Sequence, residues 1–331
     1  MDIKNYKLTC LGSPDDERDV LYSDIACADG EVTIPYELDV PYQFGPKNQF
    51  KVGSCVAHSL SECEEIVKQA NEQFSVGFIY ANRSDSDFQG SGMIVREALA
   101  HLVKEGNVLN KDFPVNEEYP GIIAFLDKYG KELLFQKATS NKSKGYVRLN
   151  VEDIKRYLTV EKKPIIITVK VYDNFYELQT NGGNIPSEPS GKLCGGHCML
   201  IVGFKGDKLK ILNSWGNLGD NGYVHLDLSS SIIKELWTLT DEKVVKPPTP
   251  TPGPTPVGSI LYRVQLGAFK VRAYADELVL ELSKKGIDSC VRIYPDLFKV
   301  QCGVFKVRDN AVAMQNKLKE LGYDCFIVEV K

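Results

Sequence analysis

The chain has 331 residues, of which 43% are hydrophobic, with 40 Lys and Arg against 44 Asp and Glu and a formal net charge of -4. This length is enough for two domains with cores of their own, and the charge excludes the strongly basic composition of a general nucleic-acid binder. No apolar run reaches the length of a membrane span, and residues 1–7 lead into an acidic stretch instead of an apolar signal core. The sequence therefore predicts a soluble globular protein without a membrane span, an export signal or a nucleic-acid partner.

Nine cysteines are scattered through the chain without a Cys-x-x-Cys pair. An odd number cannot pair completely, and the chain is far longer than a disulfide-stapled miniprotein, so mostly reduced thiols are expected. Cys194 and Cys198 flank His197 in a spacing that could suggest zinc, but no second ligand pair stands at zinc-finger spacing. We predict neither a metal site nor a cofactor.

The first chemically informative segment is the turn into a helix at residues 47–60. Ser54 is a good N-cap residue, and apolar side chains recur behind it at helical spacing as far as Phe74. Cys55 therefore stands in the first turn, where unpaired backbone N–H groups and the helix dipole favour a thiolate and an activated nucleophile. A cysteine that is simply packed at a helix start is the alternative. His58, one turn later, is predicted to pack into the domain and not to act as a base.

Two further segments place a histidine and an asparagine on neighbouring strands. His197 stands where the glycines at 195–196 enter an apolar strand, and Asn213 ends the next strand along the chain. If these strands pair, Asn213 can accept the imidazole N–H and fix its tautomer, which leaves the other ring nitrogen to exchange a proton with Cys55. This order of cysteine, histidine and asparagine, separated by long gaps, is typical of a nucleophile, base and orienting residue assembled between two subdomains.

These motifs resemble those of the papain family of cysteine peptidases over about residues 34–240, within a predicted domain of residues 34–243. Gln49 stands six residues before Cys55, and the stretches 213–216 and 219–224 match the family's most specific sequence, Asn-Ser-Trp-Gly followed by Gly-Asp-Asn-Gly-Tyr-Val. The resemblance implies a helical subdomain and a β-barrel-like subdomain. It also implies hydrolysis of peptide bonds in polypeptide substrates through a thioester acyl-enzyme.

Carried over by position, the resemblance implies Cys55 as the nucleophile, His197 as the general base and then acid, and Asn213 as the residue that orients it. Gln49 would donate its side-chain amide to the oxyanion beside the backbone N–H of Cys55. Trp215 would shield the hydrogen bond between histidine and asparagine from water. All of these residues are present, which disfavours an inactive relative.

The stretch Gly90, Ser91 and Gly92 resembles the family's glycine-rich wall, where a backbone can pair with an extended substrate. Departures from the family pattern lie at Phe50, where a glycine is usual, and at Val56, where a tryptophan is usual. Both alter the rim of the pocket, so they put the specificity in doubt but not the chemistry.

Residues 1–33 precede the start of the resemblance and include Cys10. In such enzymes an extension of this kind can be an inhibitory propeptide that crosses the cleft. We hypothesise that this segment covers part of the site and that Cys10 meets Cys55. The alternative is a strand and turn that brace the domain.

Residues 244–258 are rich in proline and threonine, a composition that favours an extended, semi-rigid spacer. Their position between two patterned regions favours a linker over a proline-rich peptide ligand. We therefore predict a domain boundary there.

Behind this linker the chain repeats itself at an offset of 36 residues. The stretch 262–272 matches 298–308, and Val-Gln-x-Gly-x-Phe occurs in both. Each half predicts a strand, an amphipathic helix, a terminating glycine and a second strand, which together give a βαββαβ module with one antiparallel sheet. The pattern resembles the SPOR (sporulation-related repeat) family over residues 259–331. The resemblance implies binding to peptidoglycan glycan strands stripped of their stem peptides; a small α+β domain with another ligand is the alternative.

Together these features predict an α+β protein of two domains, a papain-like cysteine peptidase tethered to peptidoglycan by a SPOR-like module. Two other functions stay open. One is a peptidoglycan endopeptidase or lysin, which needs the same residues, and the other is a non-catalytic wall-binding protein with a papain-like scaffold. The sequence does not choose between a cell-wall location, after release or during sporulation, and a cytoplasmic one.

Overall fold

The computed structural model describes residues 3–14, 16, 19–25, 32–83, 92–114, 130–240, 261–285, 287, 289–294, 297–305 and 308–330. The chain divides into two compact units, Met1–Pro247 and Pro248–Lys331. Among the helices of the described ranges, none has the length and apolar character needed to cross a membrane. The predicted linker, residues 244–258, lies outside the described residues, so its extended conformation stays a prediction.

The first unit combines short helices with one large sheet. In the described ranges its α-helices are α1 (Tyr22–Ile25), α2 (Cys55–Val67), α3 (Val76–Ala81), α4 (Val95–Lys104), α5 (Lys131–Ala138) and α6 (Ile154–Glu161). Short 3₁₀ helices cover Ile3–Asn5, Thr139–Asn141, Val151–Asp153 and Asp173–Gln179. Helix α2 is the central one, because every residue in it except Ile66 is buried.

Helix α2 ends earlier than the apolar pattern predicts. The pattern continues to Phe74, but the helix ends at Val67, and Gln69 just beyond it takes a left-handed backbone conformation with φ of 48°. The chain then folds back, and the backbone N–H of Phe74 donates to Oε1 of Glu65 over 2.7 Å. The expectation of helical structure beyond Val67 is therefore wrong; Phe74 reaches the core from a turn.

The strands of the first unit are β1 (Cys10–Leu11), β2 (Glu37–Asp39), β3 (Met93–Ile94), β4 (Gly145–Arg148), β5 (Ile165–Tyr172), β6 (Leu193–Lys205), β7 (Lys208–Leu212), β8 (Tyr223–Asp227) and β9 (Ile233–Thr240). Seven of them form one sheet in the order β4-β9-β5-β6-β7-β8, with β2 paired to β6. All of these pairs are antiparallel. The remaining two, β1 and β3, form a separate parallel pair. Helix α2 packs on β6, so the start of the helix faces the strand that carries the predicted histidine.

The second unit is a four-stranded antiparallel sheet with two helices. Its elements are β10 (Leu261–Phe269), α7 (Arg272–Lys284), β11 (Cys290–Tyr294), β12 (Leu297–Phe305), α8 (Arg308–Glu320) and β13 (Phe326–Val330). The strands lie in the order β11-β12-β10-β13. Buried residues of both helices form one core with those of β10 and β12. The predicted βαββαβ arrangement and the α+β class are confirmed.

The repeated Gly-x-Phe of the second unit has a packing reason. A Cβ on Gly267 would lie 2.8 Å from the ring of Phe269, and one on Gly303 would lie 2.5 Å from the ring of Phe305. Each aromatic ring therefore folds back over the glycine two residues before it, where a larger residue would clash. The sequence repeat encodes the same local packing twice.

Candidate active site

Cys55 is the first residue of α2 and is completely buried. Ser54 stands at the N-cap, but its side chain makes no capping hydrogen bond; its Oγ lies 3.3 Å from Nδ1 of His58. The same ring nitrogen lies 2.9 Å from the carbonyl oxygen of Ser54, and burial lowers the pKa of His58 to about 4. Ser54 is therefore the N-cap residue, as predicted, but its hydroxyl turns to His58 and does not cap the helix.

The sulfur of Cys55 lies beside the strand that carries the histidine. It accepts a hydrogen bond from the backbone N–H of Cys198, the residue after His197. Cys198 is likewise completely buried. The packing of α2 on β6 thus brings the nucleophile candidate next to the base candidate, although 142 positions separate Cys55 from His197 in the sequence.

His197 and Asn213 are joined because β6 and β7 pair antiparallel, with Leu200 opposite Leu212. Nε2–H of His197 donates to Oδ1 of Asn213 over 2.8 Å. Trp215 stacks on the imidazole, with ring centroids 4.8 Å apart and an interplanar angle of 27°. The other ring nitrogen, Nδ1, is buried and has no hydrogen-bond partner among the described residues. One nitrogen is therefore anchored and the other is available for proton exchange.

Gln49 is held next to the asparagine by contacts on both sides of its amide. Its backbone N–H donates to the carbonyl oxygen of Ser214 over 2.8 Å, and Oγ of Ser214 donates to its Oε1 over 2.7 Å. Its Nε2 donates to the carbonyl oxygens of Val52, over 2.9 Å, and of Lys7, over 3.1 Å. The amide group that could serve an oxyanion is therefore occupied by Lys7.

Residues 6–11, here called the covering segment, run across these side chains. The ring of Tyr6 stacks on Trp215 with centroids 4.9 Å apart, and the Tyr6 hydroxyl donates to the carbonyl oxygen of Trp215 over 3.3 Å. Further along, Oγ1 of Thr9 donates to the carbonyl oxygen of Gly53 over 3.2 Å. The segment continues as β1, which pairs with β3. Residues 6–11 therefore lie over the candidate site; inhibition by residues 1–33 stays a hypothesis.

Glycines on both sides make room for the covering segment. Thr9 forms a bridge with Gly196, on the strand that leads to the histidine. A Cβ on Gly196 would collide with the carbonyl oxygen of Cys10, and one on Gly92 would collide with the carbonyl oxygen of Thr9. Gly92 also has a φ of 115°, a conformation that favours glycine. The two glycines allow the backbone of the segment to approach both walls of the site.

Burial under the covering segment sets the charges of the site. Desolvation, followed by the neighbouring Cys198, raises the pKa of the Cys55 thiol to about 12. Desolvation also lowers the pKa of His197 to about 4, against the opposing effect of its hydrogen bond to Asn213. Both groups are therefore neutral at pH 7 in the covered chain. The expected thiolate is absent from this state, because loss of water outweighs the helix N-terminus.

The structure thus brings together Cys55, His197, Asn213, Gln49 and Trp215, and places Gly92 at the same site. The other two residues of the predicted wall, Gly90 and Ser91, lie outside the described residues.

Cys198 was not predicted as part of the site, and the individual contacts of the covering segment could not be read from the sequence. The position of Cys198 directly after His197 could have indicated that it lies at the site, but the sequence suggested only a zinc ligand there. Its partner in that idea, Cys194, is exposed and donates to Oδ1 of Asp173 over 3.3 Å. In the described ranges, no three His, Cys, Asp or Glu side chains converge where they could hold a metal.

The fold of the first unit is that of papain-like cysteine proteases. Xylellain, a cysteine protease from Xylella fastidiosa, superimposes with a TM-score of 0.62 at 24% identity, covering 71% of this chain and 96% of that chain. The digestive procathepsin L2 proteinase from Tenebrio molitor larval midgut superimposes with a TM-score of 0.54 at 18% identity, covering 72% of this chain and 79% of that chain. At these identities the similarity establishes the fold alone.

Residues 258–329 match the family model of the SPOR domain, which confirms the resemblance found in the sequence. The solution structure of the peptidoglycan binding domain of the B. subtilis cell wall lytic enzyme CwlC is 40% identical, covers 23% of this chain and 98% of that chain, and has a TM-score of 0.22. The comparison with curated proteins found no match.

Proposed function

We propose that the first unit is a cysteine peptidase and that the second unit attaches it to peptidoglycan. The observation that carries the peptidase is the 2.8 Å hydrogen bond between His197 and Asn213, with Nδ1 of the same ring unpartnered among the described residues. The backbone N–H that holds the sulfur of Cys55 belongs to the residue after this histidine. An imidazole with one nitrogen anchored and the other unused, next to a thiol, has the arrangement of a general base and its nucleophile. The papain-like fold supports the assignment.

In this mechanism Nδ1 of His197 takes the thiol proton of Cys55 as the sulfur attacks the carbonyl carbon of a peptide bond. The proton then passes from His197 to the leaving amine, and a thioester joins the sulfur to the acyl part of the substrate. Water, deprotonated by His197, hydrolyses the thioester and restores the thiol. Asn213 holds the imidazole in the required tautomer throughout.

The charge that develops on the carbonyl oxygen is stabilised by Nε2 of Gln49 and by the backbone N–H of Cys55. Because the carbonyl oxygen of Lys7 now accepts from Nε2 of Gln49, the covering segment has to leave before a substrate binds. Its departure frees the backbone of Gly92 and Gly196, against which an extended peptide can lie. The return of water to Cys55 and His197 also favours their charged forms. Departure of the segment therefore both opens the site to substrate and favours the reactive thiolate.

The second unit supplies targeting in this proposal. The SPOR match at residues 258–329 supports binding to the glycan strands of peptidoglycan. A tether raises the local concentration of substrate without tight binding at the catalytic site. The substrates would be peptide bonds of wall-associated proteins or of the wall's own cross-peptides.

Labelling of Cys55 by an epoxide inhibitor or iodoacetamide, at neutral pH in reduced protein, tests the peptidase. We expect labelling to be lost in Cys55→Ala and slowed at least about 100-fold in His197→Ala. The control Cys194→Ala removes an exposed thiol and should leave labelling of Cys55 unchanged. If Cys55 resists both reagents even after the covering segment has been removed, the chain is a non-catalytic wall-binding protein.

Digestion assays separate the two classes of substrate. Wild type and Cys55→Ala are incubated with casein and with purified cell wall, and the products are analysed by mass spectrometry. Peptides released from casein indicate a peptidase that acts on proteins, whereas muropeptides released only from the wall indicate a peptidoglycan endopeptidase. Equal products from wild type and Cys55→Ala would contradict catalysis by this site.

A further inference from the structure

Three thiols from three separate elements meet under the covering segment. Cys10 belongs to that segment, Cys55 begins α2, and Cys198 lies on β6. The thiol of Cys10 lies 3.9 Å from the carbonyl oxygen of Leu11, and it also interacts with the thiols of Cys198 and Cys55 and with the carboxyl of Glu235. The proposed mechanism uses only Cys55, so it gives no role to the other two thiols.

The backbone holds Cys10 against β6 independently of its thiol. Thr9 bridges to Gly196, and a Cβ built on Gly196 would lie 3.6 Å from the Cβ of Cys10. Alternate residues of a strand point to the same side, so the side chain of Cys198 follows on the face of β6 where Gly196 meets the segment. The close backbone approach at Gly196 and the contact between the two thiols make Cys10 and Cys198 neighbours, an arrangement that a disulfide between them would keep.

We propose that Cys10 and Cys198 form a reversible disulfide that locks the covering segment across the site. The oxidant is a low-molecular-weight disulfide, RSSR. The thiolate of Cys10 attacks one sulfur of RSSR and releases one thiolate, RS⁻; Cys198, after losing its own proton, attacks the sulfur of Cys10 and releases the second. The two protons from the cysteines end on the two RS⁻, so the net change is one protein disulfide and two RSH. Two added thiols reverse it.

The locked segment keeps the carbonyl oxygen of Lys7 on Gln49 and the hydroxyl of Thr9 on Gly53. It also keeps Cys55 out of reach of substrate and oxidant. The hydrogen bond with the Cys198 thiol, followed by loss of water, raises the pKa of Cys10 well above its usual value. The attacking thiolate is therefore scarce at neutral pH and the lock closes slowly. The effect on catalysis rests on the proposed peptidase, but formation of the disulfide does not.

The first test is a disulfide map of the full-length chain, as wild type and as the inactive Cys55→Ala, after incubation with oxidised glutathione. We expect a linked pair of peptides containing Cys10 and Cys198 in both, reversed by dithiothreitol. Exposed Cys194 reports that the oxidant has acted, because it gains glutathione in every sample. A map that links Cys10 to Cys55 in wild type, or leaves Cys10 unlinked while Cys194 is modified, overturns the proposal.

The second test compares wild type with Cys10→Ser, which cannot lock. After oxidation and mass spectrometry, Cys55 should remain an unmodified thiol in wild type but carry glutathione in Cys10→Ser. We expect at least about a tenfold difference in the modified fraction, corresponding to about 1.4 kcal/mol of protection. Equal modification of Cys55 in the two proteins contradicts the lock. If the reduced protein hydrolyses no peptide even after the covering segment has been removed, the proposed peptidase fails, while both disulfide measurements remain interpretable.

Discussion

Cys55 and His197 are neutral in the covered chain because neither side chain reaches water. A helix N-terminus stabilises a nearby anion by about 0.3–1 kcal/mol, which is less than the roughly 1.4 kcal/mol that corresponds to one pKa unit. Burial can shift a pKa by several units. Desolvation therefore decides the charge of the site, and the covering segment controls desolvation.

Replacement of Gln49 by alanine tests the oxyanion donor. Gln49→Ala removes Nε2, so we expect kcat to fall by roughly 10²–10³-fold with a smaller change in KM. Ser214→Ala is the matched control, because it removes only the hydrogen bond to Oε1 of Gln49 and keeps the amide donor. Steady-state kinetics on a peptide substrate measure both, and thermal unfolding checks that each variant is folded. An unchanged kcat in Gln49→Ala would exclude the assigned role.

Glu62 on α2 predicts a pH dependence of stability. Burial raises the pKa of this carboxyl from 4.5 to about 8, with Glu65 adding to the effect and Lys47 opposing it. Between these two values the folded chain keeps a proton that the unfolded chain has lost, so rising pH lowers the free energy of unfolding. A single such group contributes a slope of at most about 1.4 kcal/mol per pH unit.

The Glu62→Gln variant removes this titration. We expect its free energy of unfolding, relative to wild type, to increase steadily from pH 5 to pH 8 in urea unfolding experiments. Glu72→Gln, at an exposed carboxylate paired with Lys111, is the control. A difference between Glu62→Gln and wild type that is constant over this range would show that Glu62 does not titrate there.

At the scale of elements, β6 and α2 together organise the first unit. Strand β6 pairs with β5, β7 and β2 and carries His197, while α2 packs on it and begins at Cys55. The covering segment contacts the same strand at Gly196, and strand β2 contacts it at Gly203. Both approaches require glycine, because a Cβ at either position would collide with a carbonyl oxygen of the neighbouring backbone. The strand that positions the candidate base, His197, is therefore also the strand on which the covering segment lies.

Adding a methyl group at Gly196 should uncover the site. Gly196→Ala pushes against the backbone of Cys10, so we expect the open population of the full-length chain, and with it the labelling rate of Cys55, to rise at least about tenfold. Gly203 lies on the same strand as Gly196 but away from the site, and Gly203→Ala produces the same kind of collision, with the carbonyl oxygen of Leu38 on β2. It should lower the melting temperature without faster labelling. Equal labelling rates in both variants would contradict obstruction by the segment.

At the scale of the whole molecule, the chain consists of two compact units with separate hydrophobic cores. The proposed chemistry lies in the first and the proposed glycan binding in the second. Such a division predicts that the two activities can be lost one at a time.

Removal of residues 248–331 should abolish sedimentation of the protein with purified peptidoglycan. The rate of hydrolysis of a soluble peptide should stay within about a factor of two of wild type, because no proposed catalytic group is lost and the tether acts only on wall substrates. The control is full-length Cys55→Ala, which should sediment with the wall but hydrolyse nothing. Undiminished sedimentation of the shortened chain would place wall binding elsewhere.

The class of each unit could be predicted from sequence because its signals are local. Each signal is a motif of only a few residues. The motifs are a cysteine at the start of an apolar helical stripe, Asn-Ser-Trp-Gly after a strand, and Val-Gln-x-Gly-x-Phe, which occurs twice at an offset of 36 residues. The glycine under each aromatic ring of the second unit is equally local. Helix α2 beyond Val67 was predicted wrongly, because a turn at Gln69 overrides the apolar period there.

The candidate side chains and their order along the chain could be identified from the amino-acid sequence, because their motifs are local. The groups that occupy the site become visible only in the folded chain: Lys7 on Gln49, Tyr6 on Trp215, and Cys10 beside Cys198. Sequence periodicity does not predict such contacts, because they form between segments that are far apart in the sequence and meet only when the chain folds. Burial is set by that path as well, and so the protonation of Cys55 could be learned only from the folded chain.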